Sequence, residues 1–208
     1  MIELNKFEGK PAILIATGPS LTEDVVKTIE KYKDNFVIIG CNDSYRIVDF
    51  LDIHYACDRR WWQHHGDAFR QKYPELESYT QCKESAEKYN LIPVEGTSAR
   101  GLSIDPERIH WGANSGYQIL NLALLFGCSK FILVGYNMTV WNNKRHFFGD
   151  HPQPINSTSP YTLFVSNYRG IQKELHPYIV NCTPHSALSM FKFNNLEDEL
   201  CESSRSIR

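Results

Sequence analysis

Short apolar runs alternate with helix-length amphipathic stretches along this 208-residue chain, and that alternation limits the fold more than any other feature. The runs most typical of strands are residues 12–16, 36–39, 53–56, 131–134 and 178–181. Strands separated by helices are typical of βαβ units, in which neighbouring strands run parallel. We therefore expect a single α/β domain with a mainly parallel sheet and helices on both of its faces, the arrangement called Rossmann-like.

Two helices are predicted by their end signals as well as by their periodicity. Ser20 and Glu23 have the spacing of a capping box, which predicts a helix over residues 21–32. Residues 117–126 are almost continuously apolar and Gly127 follows them. We therefore expect a deeply buried helix that ends at this glycine.

Three other segments are expected to lack regular structure. Residues 95–111 contain two glycines and a proline, so we interpret them as an ordered loop. Residues 136–160 are polar and aromatic and longer than a simple connection, which predicts a lid over the carboxyl ends of the strands. Residues 196–208 are charged and rich in serine, and we expect this tail to fray.

The overall composition disfavours some classes of partner and location. The formal net charge is -2, so the chain lacks the basic excess of proteins that hold extended nucleic acid, and a small anionic ligand fits better. None of the six cysteines belongs to a Cys-x-x-Cys pair, and the first ten residues lack the apolar core of a signal peptide. No apolar run is long enough to span a membrane. We expect a cytoplasmic protein with reduced thiols, and its apolar helices leave a homo-oligomer open.

Parallel α/β sheets bind ligands beyond the carboxyl ends of their strands, so the residues that follow each predicted strand form the candidate site. One phosphate seat is predicted at residues 17–20, before helix 21–32, and a second at residues 114–116, where Ser115 is expected to cap the apolar helix. Most residues of the site are glycines or small polar residues, which let a ligand approach backbone amides. The candidate nucleotide- or phosphate-binding residues are Thr17, Gly18, Pro19, Ser20, Asn42, Asp43, Asp58, Asn114, Ser115, Gly116 and Gly135.

The turn at residues 17–20 follows neither of two common nucleotide-binding patterns. It lacks the Gly-x-Gly-x-x-Gly spacing of dinucleotide oxidoreductases, and the chain has no Gly-Lys-Ser/Thr Walker loop. We interpret residues 1–195 as a nucleotide-binding α/β domain of another type.

The segment Ile-Ala-Thr-Gly-Pro-Ser-Leu at residues 15–21 resembles the opening motif Gly-Asn-Gly-Pro-Ser-Leu of the lipooligosaccharide sialyltransferases. The motility-accessory-factor glycosyltransferases and the archaeal-type hydroxymethylpterin diphosphokinases share that opening. Thr17 stands where the family has asparagine. The similarity continues in chain order at four further short segments, residues 41–42, 114–116, 135–136 and 182–186.

Two other segments resemble a group of phage-encoded proteins of unassigned function. They are Asn-Ser-Gly-Tyr-Gln at residues 114–118 and Gly-Asp-His-Pro at residues 149–152. This resemblance implies no activity, and a phage origin would place the protein in the cytoplasm of the host.

The resemblance to the sialyltransferases implies a transferase that uses a nucleotide-activated sugar donor. It implies that Asn42 contacts the sugar or phosphate of the nucleotide and that Ser115 and Gly116 meet phosphate. In that family a histidine of the long loop takes the proton of the acceptor hydroxyl, tyrosines stabilise the departing phosphate, and no metal is needed. A neutral imidazole suits such proton removal. An aspartate beside the histidine would orient its ring or bind a metal. The resulting catalytic candidates are His151, His146, Asp150 and Tyr136.

Two alternative functions stay open beside the glycosyltransferase. Pyrophosphoryl transfer, as in the pterin enzyme, would require Mg²⁺ held by Asp43, Asp58 or Asp150. A protein that sequesters a nucleotide would need the same pocket but no chemistry. A nucleotide or a nucleotide sugar is the expected ligand in each case.

Overall fold

A computed structural model describes residues 2–153 and 159–205 of the chain. Part of the predicted lid, residues 154–158, and the end of the predicted tail, residues 206–208, lie outside the described residues. The strands in chain order are β1 (Pro11–Ile15), β2 (Val37–Cys41), β3 (Ile53–Tyr55), β4 (Ser78–Thr80), β5 (Ile92–Pro93), β6 (Glu95–Thr97), β7 (Arg108–His110), β8 (Lys130–Val134), β9 (Ile179–Asn181) and β10 (Lys192–Phe193).

Eight of these strands form one sheet in the order β10–β9–β8–β1–β2–β3–β4–β5. Every pair of neighbouring strands in it is parallel. β1 lies inside the sheet between β2 and β8, with Ile13 level with Ile38 on one side and with Ile132 on the other. The remaining strands, β6 and β7, pair in parallel as a small separate sheet.

The described residues form six α-helices and three short 3₁₀ segments besides the strands. The helices are α1 (Glu23–Glu30), α2 (Arg59–Lys72), α3 (Lys83–Tyr89), α4 (Ser115–Leu125), α5 (Tyr161–Arg169) and α6 (Leu196–Arg205). The 3₁₀ segments are Lys33–Asn35, Asn42–Arg46 and Lys173–Tyr178.

The two faces of the sheet carry separate hydrophobic cores, because successive side chains of a strand point to opposite faces. Leu14 of β1 packs in the core that contains α4 and the inner side of α5. Ile13 and Ile15 pack on the other face, in the core that contains Val26 of α1 and Leu200 of α6. Helices therefore cover both faces, and the predicted α/β fold is confirmed.

The apolar helix predicted at residues 117–126 is present as α4, which lies in the core. Gly127 follows it with a φ of +77°, a left-handed conformation that stops a helix at little cost for glycine. The predicted cap is wrong by one residue. Asn114, not Ser115, caps α4, because its side-chain oxygen accepts the amide of Tyr117 at 3.1 Å.

The capping box predicted before α1 is wrong. The hydroxyl of Ser20 donates to the side-chain oxygen of Asn137, which removes it from the helix end. α1 begins only at Glu23, and Thr22 caps it by accepting the amide of Val25 at 3.3 Å.

Two predictions of irregular structure are also corrected. The segment 95–111, expected to be a loop, contains both strands of the small β6–β7 sheet. The tail expected to fray over residues 196–208 forms helix α6 up to Arg205. It is ordered because Leu200 is buried in the core and Glu199 forms a salt bridge with Lys130 of β8.

Both edges of the large sheet are short. β5 and β10 have two residues each, and they contain Pro93 and Lys192 respectively. No helix in the described part of the chain is both long and apolar enough to cross a membrane.

Candidate functional site

The strand order of the large sheet reverses at β1, which makes the position between β1 and β8 a topological switch point. Strands β2 to β5 extend the sheet on one side of β1, and β8 to β10 extend it on the other. Such a reversal leaves a crevice beyond the carboxyl ends of the two central strands. Here the crevice is a cleft of about 290 Å³.

Most of the predicted site residues meet in this cleft. Those that line it are Thr17, Gly18, Asn42, Asp58, Asn114, Ser115, Gly116, Gly135, His146 and His151. The other candidates, which do not line it, are Pro19, Ser20, Asp43, Tyr136 and Asp150.

The turn after β1 crosses the turn after β8 at backbone contact distance. The amide of Gly18 donates to the carbonyl of Gly135 at 2.8 Å. A Cβ atom on Gly18 would lie 2.3 Å from that carbonyl oxygen, so this crossing requires glycine. Ser20 donates both its amide and its hydroxyl to the side-chain oxygen of Asn137, at 3.1 and 2.7 Å.

Two amides of this turn are therefore used inside the protein. Those of Gly18 and Ser20 have acceptors in the turn after β8, Pro19 has no amide hydrogen, and α1 begins later than predicted. The turn forms a wall of the cleft, and fewer of its amides are free than the prediction of a phosphate seat assumes. A phosphate seat at residues 17–20 stays a prediction.

The start of α4 keeps the features of an anion site. The first amides of a helix have no carbonyl partner within the helix, and the helix dipole adds positive potential there. Asn114 accepts the amide of Tyr117, whereas no atom of the described residues accepts those of Ser115 and Gly116. Both residues line the cleft.

The segment after β8 folds back over the cleft and is anchored at Thr17. The amide of Phe147 donates to the carbonyl of Thr17 at 3.0 Å. The hydroxyl of Thr17 lies 3.0 Å from Nδ1 of His146 and forms a hydrogen bond with it. Residues 136–153, the described part of the predicted lid, therefore lie against the turn after β1.

His146 is a half-buried imidazole in the wall of the cleft. Its ring stacks on that of Phe148, with centroids 5.1 Å apart and planes 4° from parallel. Burial, with a smaller contribution from nearby His151, lowers the pKa of His146 to about 4. The ring is therefore neutral at physiological pH.

Beside the cleft lies a buried carboxylate surrounded by polar side chains. Asp43 accepts the indole N–H of Trp61 at 2.9 Å, and Arg46 lies 3.4 Å from its other oxygen. His65 and His151 approach the same carboxylate, with nitrogen–oxygen distances of 3.6 and 3.9 Å. Burial lowers the pKa of both histidines, and the negative charge of Asp43 opposes this shift.

Two catalytic candidates lie away from the cleft. The hydroxyl of Tyr136 is buried and donates to the carbonyl of Gly116 at 2.9 Å, so it supports the start of α4 from within the core. Asp150 is exposed and pairs with Arg145 at 2.6 Å rather than orienting a histidine ring.

Several residues of the cleft wall were not predicted from the sequence. Tyr161 and Phe164 come from α5, Ala113 precedes the start of α4, and Met138 and Arg145 come from the segment after β8. α5 follows the predicted lid directly, so the same reasoning could have included its first turn. Ala113 has a φ of +57°, which its residue type does not signal.

No protein-family model matches this chain, and no curated protein matches it. A MAf glycosyltransferase from Magnetospirillum magneticum AMB-1 has a similar structure, with a TM-score of 0.61 at 12% sequence identity. The match covers 99% of this chain and 38% of the other protein, so the chain spans well under half of that protein's length. This similarity supports the α/β Rossmann-like fold.

Proposed function

We propose that this chain is a glycosyltransferase-like transferase whose donor is a nucleotide-activated sugar. The observation that carries the proposal is the cleft at the β1–β8 crossing, which combines the start of α4 with the imidazole of His146. An anion site and a base in one cleft suit transfer of a sugar from a phosphate leaving group to a hydroxyl. The fold similarity to a MAf glycosyltransferase supports this reaction class over other transferases.

The donor phosphate is proposed to bind at the start of α4. Amides of Ser115 and Gly116 would donate to its oxygens, and the helix dipole would stabilise the charge that the leaving group gains. Arg145 lines the same cleft and adds positive charge, although it also pairs with Asp150. Asn42 on the facing wall is proposed to contact the sugar or the nucleotide. This scheme needs no metal at the phosphate.

His146 is the proposed general base. It would take the proton of the acceptor hydroxyl, whose oxygen then attacks the anomeric carbon while the bond to the donor phosphate breaks. The hydrogen bond between Nδ1 of His146 and the hydroxyl of Thr17 holds the ring in one orientation, and with the ring proton on Nδ1 the lone pair of Nε2 is free to act as the base. His151 also lines the cleft, but its Nδ1 faces the buried carboxylate of Asp43.

The proposal is tested first by ligand binding. We expect one class of sugar nucleotide from a panel of cytidine, uridine and guanosine derivatives to raise the melting temperature in a dose-dependent manner. Nucleoside triphosphates, each with and without Mg²⁺, serve as the comparison. Stabilisation by triphosphates alone, with Mg²⁺ required, would replace the glycosyltransferase by pyrophosphoryl transfer. Recovery of a bound sugar nucleotide intact after long incubation with acceptors would indicate sequestration.

A turnover assay with the stabilising donor then compares the wild-type protein with His146→Ala. Release of nucleotide from the stabilising donor should fall by roughly 10²- to 10⁴-fold, while donor affinity changes little. His64→Ala, which removes an exposed histidine of α2, is the matched control and should keep full turnover. Equal turnover in both variants would exclude His146 as the base.

A further inference from the structure

Three side chains with metal-binding atoms converge beside the cleft. Asp43 follows β2, His65 lies on α2, and His151 lies on the segment after β8. One ligand atom from each lies within 4.8 Å of those of the other two. The Mg²⁺ ligands suggested by the sequence included Asp58 and Asp150, and neither belongs to this group.

The two histidine nitrogens that face Asp43 are buried and unpaired. Nε2 of His65 and Nδ1 of His151 have no hydrogen-bond partner among the residues that the structure describes. Leaving a buried polar atom unpaired costs about 1–3 kcal/mol, so two in one place require an explanation. Both nitrogens point at the same buried carboxylate.

The distances fit ligands of a shared ion better than hydrogen bonds. The nitrogens lie 3.6 and 3.9 Å from the oxygens of Asp43, beyond the usual range for an N–H···O bond. Two ligands of one tetrahedral Zn²⁺ ion lie roughly 3.3 Å apart. The two nitrogen–oxygen distances exceed this spacing by about 0.3 and 0.6 Å, and the three ligand atoms all lie within 4.8 Å of one another, so the side chains would close in by up to about 1.5 Å around an ion.

The surroundings hold the carboxylate in place. The indole N–H of Trp61 donates to one oxygen of Asp43, as outer-shell donors do for ligating carboxylates. The ring of His65 also packs against Trp61, with centroids 5.0 Å apart and planes 33° from parallel. The guanidinium of Arg46 approaches the other oxygen at 3.4 Å, but its side chain is about half exposed and can turn to solvent when a cation binds.

We propose that Asp43, His65 and His151 bind one divalent transition-metal ion, with Zn²⁺ the best match. Two imidazoles and one carboxylate suit Zn²⁺ and its neighbours, whereas Mg²⁺ prefers oxygen ligands. Three protein ligands leave at least one coordination position for water. The inference does not depend on the proposed transferase activity.

The ion would join three separate parts of the fold. It would tie the segment after β8 to the end of β2 and to α2, and so hold the described part of the lid against the sheet. Because His151 lines the cleft, the ion would also fix one wall of it. This role is separate from phosphate binding at the start of α4.

The test is a metal titration of the full chain, stripped with chelator and kept free of nucleotide. Calorimetric titration with Zn²⁺ should give one site per chain. His65→Ala and His151→Ala should each weaken it by more than roughly 100-fold, beyond the effect of losing an outer-shell partner. His64→Ala, an exposed neighbour on the same helix, should leave the affinity unchanged. Unchanged affinity in both His65→Ala and His151→Ala would overturn the proposal.

Co²⁺ gives a second readout that distinguishes this site from the cysteines. A site of two imidazoles and a carboxylate should give visible d–d bands without the near-ultraviolet charge-transfer band of a thiolate. A thiolate band would place the ion on cysteine and overturn the assignment, as would tighter binding of Mg²⁺ than of Zn²⁺. Since no sugar nucleotide is present, the result stands whether or not the transferase proposal is correct.

Discussion

Gly18 and Thr17 are adjacent, yet they contribute to the cleft in different ways. Gly18 lacks a side chain and so lets two backbone turns cross, whereas Thr17 uses its carbonyl and its hydroxyl to hold the segment after β8. The first contribution is steric and the second is made by hydrogen bonds. Substitutions at these positions should therefore have distinct effects.

Gly18→Ala should destabilise the protein by about 2–3 kcal/mol, a cost typical of overpacking. The added Cβ would lie 2.3 Å from the carbonyl oxygen of Gly135 and 2.4 Å from Oδ1 of Asn137, so the two turns must separate. Urea denaturation measures the change. Gly170→Ala is the matched control, because its Cβ would come no closer than 3.2 Å to another atom. If both variants lost a similar free energy of unfolding, the turns after β1 and β8 would have room for a side chain at Gly18, and the close crossing would be contradicted.

A buried carboxylate, together with the buried Leu200, links helix α6 to the sheet. Glu199 is almost fully buried, and it accepts hydrogen bonds from Lys130 of β8, from Asn194 and from Ser203. Burial alone would raise the pKa of Glu199, but these hydrogen bonds outweigh it, and the pKa is lowered from its ordinary value of 4.5. The charged form therefore stabilises the folded state.

Glu199→Gln should cost about 2 kcal/mol at neutral pH, less than for a fully buried pair because Lys130 is partly exposed. The folded pKa lies below the unfolded one, so the contribution is complete above the ordinary carboxyl pKa and is lost as pH falls through the folded value. The stability gap between wild type and variant should therefore narrow below about pH 4.5. Urea titrations at several pH values measure it.

Glu197→Gln on the same helix is the matched control. Glu197 pairs with Lys31 at 3.6 Å, but both side chains are largely exposed, so the variant should lose less than about 0.5 kcal/mol. If the difference in free energy of unfolding between wild type and Glu199→Gln did not change with pH, the charge of Glu199 would not be what stabilises the packing of α6 on the sheet.

The helices show which parts of the fold the sequence could predict. α4 was predictable because its apolar run and its terminal glycine are local features. The start of α1 was not, because the partner of Ser20 is Asn137, 117 residues away. α6 was not predicted for a related reason. Its sequence is mostly charged and so is typical of an exposed tail, whereas the contacts that order it are distant: Leu200 packs in the core and Glu199 pairs with Lys130 of β8.

The candidate site also combines features that local sequence patterns predict with features that depend on distant residues. The rule that ligands bind beyond strand ends located the cleft, because it depends only on the order of strands and helices. The cluster of Asp43, His65 and His151 was not predicted, because three distant segments bring it together. Trp61 and His65 are four residues apart and share a helix face, which is the one local signal available.

Across the whole molecule, the two walls of the cleft come from opposite halves of the chain. The first half builds β1 to β5, and the second half adds α4, β8 and the segment that closes over Thr17. The two halves also share both hydrophobic cores, since β1 and β8 contribute to each. We therefore expect the described domain to unfold cooperatively rather than half by half.

Thiol labelling measures that cooperativity. Cys41, Cys128 and Cys182 are buried, and burial raises the pKa of each, that of Cys128 and Cys182 to about 12. These three thiols should resist a disulfide reagent in the native state, while Cys57, Cys82 and Cys201 are partly exposed. In rising urea the three buried thiols should become reactive together, at the midpoint seen by circular dichroism. Separate midpoints for Cys41 and Cys182 would contradict a single unit.

The short strands at the two ends of the sheet bear on how copies of the protein meet. An exposed strand edge is a template on which another chain can add a strand, and long flat edges promote fibril growth. β5 and β10 offer only two residues each, and Pro93 in one lacks an amide donor while Lys192 in the other carries charge. The large sheet is thus poorly suited to extension at either end, and we expect copies of the protein not to pair through these two edges.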